Sequence, residues 1–150
     1  MESLIQYELL IPFVAYLFAL VICGVALRMG DPPLRLAALF LIIGWTLTPL
    51  VSLGSKVRLD YPVTIIDTNA ALIFVWISMR WRRLWCAVLA ALTIISVIMP
   101  IVCVVDRSIH KYNYYAANNV VAHLQLVVLY VAIWLTARAR RRADEDAIRA

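Results

Sequence analysis

The chain has 150 residues, 65% of them hydrophobic and 15% charged, with a formal net charge of +5. The length allows one domain, and a mean hydropathy of +0.89 excludes a soluble globule with a polar shell. The basic residues stand in short caps between apolar runs, not along one soluble face, which excludes a nucleic-acid surface and points to membrane orientation.

Five apolar stretches are expected to be membrane-spanning helices of an all-α bundle, at about 9-27, 36-53, 63-79, 84-105 and 112-137. Each is near or above the ~17 residues that a helix needs to cross the hydrocarbon layer. Runs such as "LWCAVLAALTIISVIMPIVCVV" lack the alternation of a barrel strand. The first stretch follows an acidic "MESLIQYE" and precedes no small-residue cleavage site, so it is expected to be retained. Ala15, Ala19 and Cys23 give it a stripe of small residues suited to close packing. Asp31-Pro32-Pro33 breaks the chain before the second stretch, which carries Pro49 inside it.

The third stretch begins after Tyr61-Pro62, is the shortest, and contains Asp67. An Asp at a helix centre costs ~2.5 to 3.5 kcal/mol, against ~0.3 to 0.6 returned by each Val, Ile, Leu or Phe, so insertion is near balance. In the fourth, Ala87 and Ala91 repeat the small-residue spacing and Pro100 sits inside. Cys23, Cys86 and Cys103 all fall in apolar segments and read as packing residues. The tail 138-150, "ARARRRADEDAIRA" with its leading Ala137, pairs Arg141 with Glu145, Arg142 with Asp146 and Glu145 with Arg149 at i,i+4, and is expected to carry the fifth helix into the cytoplasm.

With five spans, Arg28, Arg35, Arg80, Arg82, Arg83, Arg138, Arg140, Arg141, Arg142 and Arg149 share one side, against Lys56, Arg58, Arg107 and Lys111 on the other. The positive-inside rule then puts the N-terminus outside and the C-terminus in the cytoplasm. A four-span alternative, with the third stretch not crossing, divides the charges equally well. Aromatic placement favours five: Trp76, Trp81, Trp85 and Trp134 gather at the basic ends, and Tyr7, Tyr61, Tyr112, Tyr114 and Tyr115 at the opposite ends, as interface belts do. Loops of roughly four to nine residues make consecutive helices antiparallel neighbours.

The polar residues "NNVVAHLQ", 118 to 125, interrupt the fifth stretch. Tyr112, Tyr115, Asn119, His123 and Tyr130 approximate one helical stripe, with Asn118 and Gln125 on the next. At 1.5 Å per residue His123 lies ~16 Å below Tyr112, near mid-membrane, Asn119 ~10 Å below it, and Asp67 only about 7.5 Å below Pro62, in the outer half as well, so the two groups can meet. Such side chains are expected to face the bundle and to bond one another or water. One reading is a clamp joining spans three and five. The other is a water-accessible site in which Asp67 and His123 titrate, as ion pathways require. A metal or haem ligand is disfavoured because His123 is the one intramembrane His, His110 falling in a loop.

No H-E-x-x-H, G-x-S-x-G, P-loop or C-x-x-C occurs, and Ser52 and Ser96 are scattered, so no enzyme and no cofactor is expected. The expected role is a non-enzymatic accessory or scaffold subunit, with a membrane-protein partner or a second copy; a small transporter or channel using Asp67, Asn119 and His123 is the alternative. Arg138, Arg140, Arg141 and Arg142 are expected to meet anionic lipid headgroups or a partner.

Leu47-Thr48-Pro49-Leu50, Asp67, Arg83-Leu84-Trp85, and Val105-Asp106 followed by Ile109 together resemble a group of small uncharacterised inner-membrane proteins of Gram-negative bacteria, over about the final two thirds of the chain. The resemblance implies a bacterial inner membrane and no known activity. In that group a Pro tends to follow the Trp and a His tends to come late in the fourth span; here Cys86 and Met99-Pro100 stand there, which weakens any shared site built on that His.

Overall fold

The computed structural model describes residues 2–52, 61–106 and 111–149, with side chains from residue 14 onward except 49, 52 and 111–115. The described residues form five α-helices and no strand: α1 (Glu2–Met29), α2 (Pro32–Ser52), α3 (Tyr61–Trp81), α4 (Leu84–Val105) and α5 (Lys111–Arg149). Three are long and apolar enough to cross a membrane, namely Tyr61–Trp81, Leu84–Val105 and the Ala116–Arg149 part of α5. In α1 and α2 the described apolar portions, Val14–Met29 and Pro32–Thr48, are shorter.

Each apolar stretch is a helix, and most extend past the hydropathy limits because polar ends still satisfy their backbone by continuing the helix. Two connections are therefore much tighter than the expected four to nine residues. Gly30 and Asp31 alone join α1 to α2, and Arg82 and Arg83 alone join α3 to α4.

Both tight turns have a local cause. A Cβ on Gly30 would collide with the Ala26 carbonyl oxygen and crowd Leu34, so only glycine fits there. Its N–H closes α1 by donating to Ala26 O at 2.8 Å, and Arg35 Nε donates to Gly30 O at 2.9 Å. Pro32, at the first position of α2, loses no intrahelical bond. Arg82 takes the left-handed conformation, φ 48°, and donates its N–H to Ser78 O at 2.9 Å, which ends α3 abruptly.

Consecutive helices pack as antiparallel neighbours, and α5 closes the ring by packing on α1, with a narrower contact to α2. Among the described residues α3 and α5 do not pack together. In lipid no hydrophobic force separates helix from helix, so close approach of small side chains carries the packing. Ala19, Cys23 and Ala26 of α1 are buried with Leu34, Ala37 and Ala38 of α2, extending the expected stripe. This core continues through Phe74, Ile77, Cys86, Leu89, Leu129 and Ala132. Cys103 is half-buried, and all three cysteines are free thiols.

Two expectations about faces are corrected. Ala87 and Ala91 point away from the bundle, whereas Cys86, Leu89, Ala90, Thr93, Ser96 and Pro100 form the inward face of α4. A small-residue pair identifies a permissive surface without saying which side the neighbouring helices occupy. Trp85 is buried in the core, not set in an interface belt, while Trp76 and Trp134 remain more than half exposed.

At one end, Asp31 accepts a hydrogen bond from Arg140 of α5 at 2.7 Å and lies 3.5 Å from Arg83 of the α3–α4 turn. The α1–α2 turn, the α3–α4 turn and the start of the charged tail thus meet there. The tail itself stays helical to Arg149, but the expected pairs of Arg141 with Glu145, Arg142 with Asp146 and Glu145 with Arg149 do not close. Exposed long side chains gain too little from such pairing to give up their freedom.

Candidate functional site

All five helices line one cavity of about 360 Å³. From α5 come Asn118, Asn119, Ala122, His123 and Gln125, at the spacing that puts them on one side of a helix. From α3 come Asp67, Ala70 and Phe74. The five polar residues singled out in the sequence therefore share one space. Tyr16 of α1, Trp45 and Thr48 of α2, and Thr93 and Ser96 of α4 complete its polar and aromatic lining. At 1.5 Å per residue Asp67 stands ~21 Å along α3 from Trp81 and His123 ~25 Å along α5 from Arg140, well away from the charged end. The packed core lies between.

The bonds around the cavity run mostly inward to helix backbones. Gln125 Nε2 donates to Thr93 Oγ1 at 3.0 Å, and Thr93 donates to Leu89 O at 2.8 Å. This buried pair ties α5 to α4. The Thr46 hydroxyl donates to Ile42 O at 2.7 Å, so in its 3.1 Å contact with Tyr16 the tyrosine is the donor. That bond ties α1 to α2. Ser96 points its hydroxyl at Leu92 O, 3.4 Å away.

His123 Nδ1 lies 2.6 Å from Asn119 O on its own helix. A carbonyl oxygen only accepts, so Nδ1 carries the proton, and in the neutral ring Nε2 is left as an acceptor. The ring also meets Trp45 edge-on, with centroids 6.5 Å apart and planes at 71°. Asp67 makes no hydrogen bond or ion pair to the described residues.

The expected clamp between spans three and five is thus replaced by interhelical bonds between α4 and α5 and between α1 and α2. The reason is ring order: α3 and α5 are not neighbours and face each other across the cavity. Tyr130, on the His123 stripe, is exposed and does not line the cavity, lying ~10 Å further along α5. The side chains of Tyr112 and Tyr115 lie outside the described residues, as does that of Ser52.

The chain matches no family model, no curated protein and no solved structure. The chemistry must therefore come from the cavity itself. Asp67, His123 and Tyr16 are the titratable side chains of its described lining, and no group of three His, Cys, Asp or Glu comes together among the described residues. Ser96 and His123 line the same space, the hydroxyl directed at Leu92 O and the ring Nδ1 at Asn119 O of their own helices. What the arrangement offers is recognition: hydrogen-bonding groups, one carboxylate and aromatic rings around a volume that suits a small molecule.

Tyr16, Trp45 and Thr93 were not anticipated from sequence. One hydroxyl in an apolar run is easily satisfied by the carbonyl four residues back, so it carries little weight. The usable signal was depth: Thr46, Thr93 and Ser96 fall at levels comparable to the polar cluster of α5.

At the charged end, Arg138 lies over the Trp134 ring at 5.1 Å and Arg140 is engaged by Asp31. Arg141 and Arg142 are exposed beyond them.

Proposed function

We propose that the chain is a five-span protein of a bacterial inner membrane, N-terminus outside and C-terminus cytoplasmic, that binds a small polar solute in its cavity and carries it across. The cavity formed by all five helices around Asp67, Asn118, Asn119, His123 and Gln125 is the observation behind this reading. Intramembrane polar groups are costly and favour functional explanations when they face a cavity and not a lipid surface. The five-span threading draws support from Asp31, whose partners Arg83 and Arg140 lie on the side to which charge counting assigns the cytoplasm. The bacterial location rests on the resemblance of the Leu47–Leu50, Asp67 and Arg83–Trp85 segments to small inner-membrane proteins. Arg141 and Arg142 would meet anionic headgroups at that face.

Proteoliposomes test the transport reading. With a pH-sensitive dye inside for small amines and carboxylates, and light scattering to follow swelling for polyols, each supplied in turn outside, the wild-type chain is expected to exceed protein-free vesicles for at least one class. Ala122→Phe, which fills the cavity, should remove the excess while keeping helicity and elution volume. The accessory-subunit reading expects no excess from either protein and a tightly held membrane partner after gentle extraction; that pair of results would retire transport.

A further inference from the structure

The cavity's lining specifies the chemistry of its occupant, on the reading that it is a binding site. Among the described residues its sole formal charge is the Asp67 carboxylate, no described Lys or Arg lining it. That carboxylate has no partner among the described residues, although it stands within a helical bundle where an uncompensated charge is costly. Several potential donors are already spent. Tyr16 donates to Thr46, Gln125 to Thr93, Thr93 to Leu89 O, and His123 Nδ1 to Asn119 O. What these groups keep is chiefly lone pairs, on the Gln125 carbonyl oxygen and His123 Nε2 of two residues that line the cavity with Asp67. The asparagine amides and the Trp45 N–H remain as neutral donors.

Aromatic rings complete the wall, with Tyr16, Phe40, Trp45 and Phe74 contributed by three helices. Aromatic faces attract cations and shed anions. A bare metal ion suits the space poorly, because hard cations need about six or more oxygens at close range and these few donors are spread around roughly 360 Å³. We infer that the cavity takes a compact organic cation, an alkyl- or arylalkylammonium, with Asp67 as its counter-ion, His123 Nε2 and the Gln125 oxygen as further acceptors, and Trp45 as its aromatic wall.

The test uses the full chain in nanodiscs and three isosteres: 2-phenylethylammonium, 2-phenylethanol and phenylacetate, titrated calorimetrically against empty discs. The ammonium is expected to bind at least ~10-fold tighter than the alcohol, with phenylacetate weakest, because a charge-assisted hydrogen bond is worth ~1.5 to 3 kcal/mol. Asp67→Asn should bring ammonium and alcohol within about threefold of each other, the charge being the difference between them. If Asp67→Asn does not fold, the wild-type series decides alone. Equal binding of alcohol and ammonium, preference for phenylacetate, or an undiminished ammonium preference in Asp67→Asn would overturn the cation assignment and leave the binding site standing. Binding of none of the three overturns the cation assignment; if Ala122→Phe and wild type then also behave alike in vesicles, the binding-site reading falls with it.

Discussion

Thr93 shows how one hydroxyl can serve two helices. It gives its proton to Leu89 O at 2.8 Å and its lone pair to Gln125 Nε2 at 3.0 Å, so α4 satisfies it and α5 uses it. Both side chains are buried. Thr93→Val keeps the shape but strands the glutamine amide, and is expected to cost ~0.6 to 2 kcal/mol, the usual worth of a polar contact between membrane helices. Unfolding in mixed micelles measures this. The double variant Thr93→Val/Gln125→Leu should lose less than the sum of the two single losses, because both remove the same bond. Strict additivity would mean the bond contributes nothing. Gln125 was prominent in the sequence and its partner was not: a glutamine amid Val and Leu is conspicuous, whereas a threonine in a membrane helix is ordinary.

Helix positions were legible for a plain reason: eighteen or so apolar residues in succession have few alternatives to a helix in lipid. Which face of each helix turns inward was less so. In α4 nearly every position is apolar, so the buried Leu89 and Ala90 and the outward Ala87 and Ala91 differ only in their surroundings. In α5 polarity breaks the symmetry: Asn118, His123 and Gln125 line the cavity, and such groups turn to lipid only at high cost. The turns offer a test at this scale. Asp31 holds Arg83 and Arg140 on partly exposed side chains, so Asp31→Asn should change stability by under ~1 kcal/mol, with the difference shrinking in high salt. Comparison of unfolding at low and high ionic strength checks both. A salt-independent loss of several kcal/mol would mean that the side chain supports the Gly30 turn by some means other than charge.

Over the whole molecule, the ring order explains which long-range expectations survived. Asp67 and His123 were expected to meet on grounds of depth, and they share one cavity, yet depth says nothing of azimuth, and two helices between which no direct packing occurs cannot clamp each other. Threading is open to direct measurement. A periplasm-active reporter fused ahead of Glu2 should be active and a cytoplasm-fluorescent one fused after the tail should glow; a silent first reporter on a stably produced fusion would contradict the proposed five-span orientation.

The packed core has one further consequence. Ala26, Leu34, Ile77, Cys86, Leu89, Leu129 and Ala132 fill the bundle between the cavity and the arginine-bearing end, each at 5% exposure or less. A plug this dense leaves no standing water column, so the molecule is a cup and not a pipe. Its floor is closed by two turns of two residues apiece. On the proposed transport reading, a solute that passes right through has to wait for that floor to part, which would make throughput a matter of discrete events and shield an ion gradient in the intervals between them.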